Sequence, residues 1–141
     1  MKFLLAFVLT LPLAFADVSS VKAEPDPERR SELALTNADK AIDAARQAYN
    51  GGDKDAEQAA LTEVRELVDV SIVSLESTHK APRNNKYYKR AELKVGALLR
   101  RLHSLRDEMA FDGRQTVEAV IKRLSDVHDQ LISAVMSKKK N

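Results

Sequence analysis

The chain has 141 residues and contains neither cysteine nor tryptophan. Without cysteine there is no disulfide framework, no thiolate metal site, no lipid-attachment cysteine and no C-x-x-C-H anchor for covalent haem. Glycine and proline number four each, and no glycine falls in a P-loop or a G-x-G-x-x-G cradle for phosphates. G-x-S-x-G, H-E-x-x-H and H-x-x-x-H are missing too, which removes the commonest hydrolase and metalloprotease signatures. Aromatic residues make up only 5%, so a core must be built from Leu, Val, Ile and Ala. No apolar run reaches the ~20 residues a membrane-spanning helix needs.

What the sequence does have begins with Met1-Lys2 and the apolar run Phe3–Leu13. These are the n- and h-regions of a secretory signal peptide, and Ala14-Phe15-Ala16 supplies small residues for cleavage. Residues 1–16 are therefore expected to be removed on export to the periplasm or the cell exterior. Val21-Lys22-Ala23 offers a second acceptable site. The polar, Pro-containing stretch 17–26 reads as a flexible leader, and no transmembrane span is expected in the mature chain.

Four amphipathic helices follow. Asp26-Pro27-Glu28 has the order of an N-cap, a first-position proline and a first-turn acid. The first helix is predicted over 27–50, with Leu35, Ala38, Ile42, Ala45 and Tyr49 as its seam and alanines that permit a close neighbour. Gly51-Gly52-Asp53 ends it and caps the next. The second spans about 54–79 along Leu61, Val64, Val68, Ile72, Leu75 and His79. Leu67, Val70 and Val73 lie off that line, leaving surplus apolar surface for a central position or a partner.

Ser77–Asn85 is the longest break, and Asn84 or Asn85 can cap the third helix, 85–109. Tyr88, Ala91, Val95, Leu98, Leu102, Leu105 and Met109 give it an unbroken three-four stripe. Asp112-Gly113-Arg114-Gln115 reads as a capping box for a fourth helix, 113–137, with Val117, Val120, Ile121, Leu124, Val127, Leu131 and Val135 inward. Residues 138–141 form a basic tail. Four equal helices with short breaks predict one all-α domain over 27–137, an antiparallel up-down-up-down four-helix bundle.

Charge is distributed unevenly along this pattern. Glu24–Glu76 carries 13 acids against 6 bases, whereas His79–Arg106 carries 1 acid against 9 bases. The cations Lys80, Arg83, Lys86, Lys89, Arg90 and Lys94, with Tyr87 among them, cluster at a helix start, where backbone N–H groups also favour anions. They form the candidate site for an anionic glycan, lipid headgroups or an acidic protein. The plainer alternative is a solvated basic face paired with the acidic faces of the first two helices. No nucleic-acid motif accompanies the charge, and nucleic acid is not expected.

The three histidines do not converge. Measured from the last turn, His103, His128 and His79 stand at heights of roughly 12, 22 and 37 Å at 1.5 Å per residue, while a metal ligand must lie about 2 Å from its ion. Helix one has no methionine for a haem of the cytochrome b562 kind. No cofactor is expected, and His128 reads as a core-edge imidazole bonded to a neighbour. Thr78-His79 and Asp126–Asp129 lack the facing geometry of a nucleophile and base. Gly96 sits mid-helix, where it can admit a close neighbour. The expected function is thus a non-enzymatic, exported binding module. Two other readings are a ligand-carrying bundle anchored at His128 and a structural homo-oligomer using the spare surface of the second helix.

Overall fold

The computed structural model describes residues 15–137, with side chains from Val18 onward. Residues 1–14 of the expected signal peptide and the tail 138–141 lie outside the described residues. The described chain is all-helical: α1 (Phe15–Lys22), α2 (Pro27–Asn50), α3 (Lys54–Glu76), α4 (Lys86–Glu108) and α5 (Gln115–Met136). Single 3-10 turns occupy Pro82–Asn84 and Phe111–Gly113. No helix among these residues is long and apolar enough to cross a membrane.

The helix starts follow local chemistry. Asp26 accepts the Glu28 N–H at 3.0 Å and Asp53 the Ala56 N–H at 3.1 Å, satisfying donors that have no partner inside the helix. Pro27 stands first in α2, where its missing N–H is not needed. Between α2 and α3, Gly52 takes φ 72°, and the Asp53 N–H closes onto the Ala48 carbonyl at 2.9 Å.

Two helix ends differ from the sequence pattern. α3 stops at Glu76, because the hydroxyls of Ser77 and Thr78 turn back to the Ser74 and Leu75 carbonyls, at 2.7 Å each. Such side chains compete with the helical ladder. His79 then takes the left-handed φ of 54°, so it leaves the α3 seam and is exposed. The capping box expected at Asp112–Gln115 does not form. Phe111–Gly113 winds a 3-10 turn, Arg114 becomes the N-cap without a side-chain bond, and Asp112 is left two residues too early.

A larger difference lies at 17–26, where a flexible leader was expected. Phe15–Lys22 is helical, and Val18 and Val21 are 7% and 2% exposed within the core cluster. α1 packs on α2 and α3 and so covers part of the surplus apolar surface of α3. Two valines three residues apart give this short helix a single apolar edge. Docking that edge, rather than propensity, holds the helix in place.

One core joins the helices. α2 has its most extensive contact with α3. Ser31, Ala34, Ala38, Ala41 and Ala45 form a buried small-residue row on α2, and the Ser31 and Ser71 hydroxyls bond across the interface at 2.6 Å. Only short side chains let two helices come so near. α2 also lies against α4, and α3 against α5, while α3 and α4 touch little. The ion pairs between α2 and α4 climb both helices in the same sense, from Glu32–Arg90 to Arg46–Glu108. Residues 77–85 therefore carry the chain from the end of α3 to the start of α4, beside the start of α2.

Candidate functional site

The basic segment takes its geometry from Asn85. Its side chain, 7% exposed, accepts the Tyr87 N–H at 2.7 Å and caps α4. From that start Tyr88, Ala91, Val95, Leu98, Leu102, Leu105 and Met109 all turn inward and are buried, as their spacing predicts. Lys86, Lys89, Leu93 and Arg100 are thereby turned to solvent.

Contact with α2 divides the cations of this face into two sets. On the flank towards α2, Arg90 Nη1 meets Glu32 Oε1 at 2.7 Å and Lys94 Nζ reaches Thr36 Oγ1 at 3.4 Å. Arg101 bridges Asp39, at 2.5 Å, and Asp43. Lys80, in the crossing segment, is hydrogen-bonded to Glu28, and that bond holds its pKa above the ordinary lysine value. Lys80, Arg90 and Arg101 behave as the plainer alternative foresees, their charge answered by acids of α2, whereas Lys94 meets only a hydroxyl.

The second set is different. Among the described residues, Arg83, Lys86, Lys89 and Arg100 have no carboxylate in ion-pair range. Lys86 Nζ stands 5.2 Å from the Tyr87 ring centroid and Arg90 Cζ 5.6 Å from it, a cation–π arrangement that leaves the Lys86 charge in solvent. Of the seven residues chosen from sequence, the structure thus keeps Arg83, Lys86 and Lys89 available and engages Lys80 and Arg90. Lys94 faces a hydroxyl, and Tyr87 is half-buried between the sets. Arg100 joins the available set; its place on the outer arc of α4 was the signal for it.

Between α2 and α4, on the paired flank, lies a groove of ≈410 Å³ lined by Glu32, Leu35 and Thr36 of α2 and by Tyr87, Arg90, Ala91, Leu93 and Lys94 of α4. Leu93 is 67% exposed.

The histidines stay apart. His128 Nε2 lies 2.9 Å from Glu92 Oε1, which is the core-edge bond expected of it. His103 is half-buried on α4. Glu76 and His79 have the three-residue spacing of a di-iron ligand pair, but His79 lies beyond the end of α3. Among the described residues no three His, Cys, Asp or Glu side chains stand where one metal ion could reach them. Compared with protein-family models, curated proteins and solved structures, the chain matches none. The surface chemistry therefore has to carry the functional reading.

Proposed function

We propose that this chain is an exported, non-enzymatic helical protein of the periplasm or cell exterior that docks an anionic partner through Arg83, Lys86, Lys89 and Arg100. In this reading residues 1–16 are removed as a signal peptide, and α2–α5 form the up-down-up-down four-helix bundle. The observation that carries it is the division of the α4 cations. Acids on α2 answer Lys80, Arg90 and Arg101 on one flank, Lys94 there meets a hydroxyl, and among the described residues Arg83, Lys86, Lys89 and Arg100 face solvent without a carboxylate. Exposed ion pairs contribute only about 0–1 kcal/mol each, and unanswered like charges repel. The free set is therefore poorly explained by stability and well suited to attracting an anion.

Retention on immobilised dextran sulfate tests this. The protein should elute with rising salt, and Lys86→Gln with Lys89→Gln should move elution to clearly lower salt. Retention that is absent, or unchanged in the double variant, refutes the docking role. The homo-oligomer remains a second reading because Val73 on α3 is 63% exposed beside half-buried Val70. A doubled mass in solution, lost in Val73→Ser, supports it.

A further inference from the structure

We infer that the partner of the basic crest of α4 is the anionic surface of a lipid bilayer, with Leu93 entering its interface. This rests on the reading that Arg83, Lys86, Lys89 and Arg100 dock an anion, and it names the chemical class of that anion.

The first ground is the company Leu93 keeps. At 100° per residue, Lys86, Lys89, Leu93 and Arg100 fall within an arc of roughly 60° on the helix surface and extend roughly 21 Å along it. A solitary exposed leucine means nothing by itself. Here it is 67% exposed and centred among cations without carboxylate partners. The one acid between Asn85 and Asp107 is Glu92, and it is turned aside onto His128. The crest therefore presents positive charge and one apolar side chain, with no negative charge among them.

The second ground is the groove beside it. Leu93 borders the α2–α4 groove, where half-buried Tyr87 stands over the buried Leu35 and Ala91 and the Arg90–Glu32 pair and Lys94 lie alongside. A soluble polyanion, such as a phosphorylated glycan, would use the cations and leave Leu93 and the groove in water. A bilayer interface uses both. Lipid phosphates sit at the level of the ammonium and guanidinium groups, and leucine and tyrosine reach the boundary between headgroups and acyl chains. No described helix can cross a membrane, so the association is peripheral.

Co-sedimentation with vesicles tests the inference. One set is phosphatidylcholine alone and the other contains phosphatidylglycerol as well. Binding is expected to the anionic vesicles only, weakened roughly fivefold by each of Lys86→Gln and Lys89→Gln. Leu93→Ser should weaken vesicle binding severalfold, leave retention on dextran sulfate unchanged, and be restored by Leu93→Phe. All three positions are exposed, and unchanged circular dichroism confirms that each variant is folded. If Leu93→Ser binds vesicles as tightly as the parent, or vesicles fail to bind while dextran sulfate still does, the bilayer is overturned and anionic docking survives. Loss of both readouts in the parent protein overturns both.

Discussion

His128 Nε2 sits 2.9 Å from Glu92 Oε1 across the α4–α5 contact, in space that Gly96 leaves open one turn further along α4. A Cβ on residue 96 would stand 3.1 Å from that same nitrogen. Glycine inside a helix costs about 1 kcal/mol relative to alanine, so the position trades helix propensity for the approach of the imidazole. Gly96→Ala should therefore raise stability by clearly less than 1 kcal/mol in the parent chain. In a His128→Ala background it should give the full gain of about 1 kcal/mol. Urea unfolding of the four chains measures the coupling, and equal gains in both backgrounds would show that the contact is not felt.

α1 makes a second prediction. Val18 and Val21 are part of the core, and full burial of a valine contributes roughly 1.5–3 kcal/mol. Val21→Ala should cost about 2 kcal/mol. A chain starting at Glu24 should be less stable than one starting at Asp17, by less than the roughly 3–6 kcal/mol that burying two valines contributes, because ordering α1 opposes that gain. Urea midpoints of the two chains decide it. Equal stability of the two chains would mean that α1 contributes nothing.

Glu57 gives the fold a pH dependence. It is 6% exposed in the first turn of α3, and burial raises its pKa above the ordinary glutamate value while Lys54 pulls the other way. A carboxyl with a raised folded pKa binds more protons folded than unfolded. Stability from this group is thus greatest below the ordinary value, falls as pH rises to the raised value, and is level above it. Glu57→Gln removes that fall. The stability of the variant relative to the parent should increase between about pH 4 and pH 7, as read from urea midpoints at the two pH values. A constant difference would show that Glu57 ionises as freely in the folded chain as in the unfolded one.

The four long helices and most of their caps were legible because each signal is local. Asp26, Asp53 and Asn85 cap within three residues, and the inward stripe of α4 needs only the helical period. α1 was not legible, since two valines in eight residues make no period and its support comes from α2 and α3. Gly96 and the core-edge role of His128 could be read, whereas the identity of Glu92 as the partner depended on the pairing of α4 with α5. The opposite charges of the two halves were plain, yet spacing alone could not show which cations meet α2. Arg90 and Arg101 face acids because α2 and α4 rise together; with another neighbour the same residues would be free.

That dependence on α2 can be turned into a test of the candidate site. Asp39 and Asp43 both hold Arg101, and all three groups are partly exposed. Asp39→Asn with Asp43→Asn releases one cation and removes two negative charges beside the crest. Partly exposed pairs of this kind contribute about 0–1 kcal/mol, so the double variant should lose at most about 1 kcal/mol in urea unfolding. Its retention on dextran sulfate should move to higher salt, opposite in direction to Lys86→Gln with Lys89→Gln, because surface charges within a Debye length of about 10 Å at moderate ionic strength add to one field. A shift of the Asp variant to lower salt, or the same shift in both variants, would separate the crest from the field it is held to produce and remove the electrostatic basis for docking.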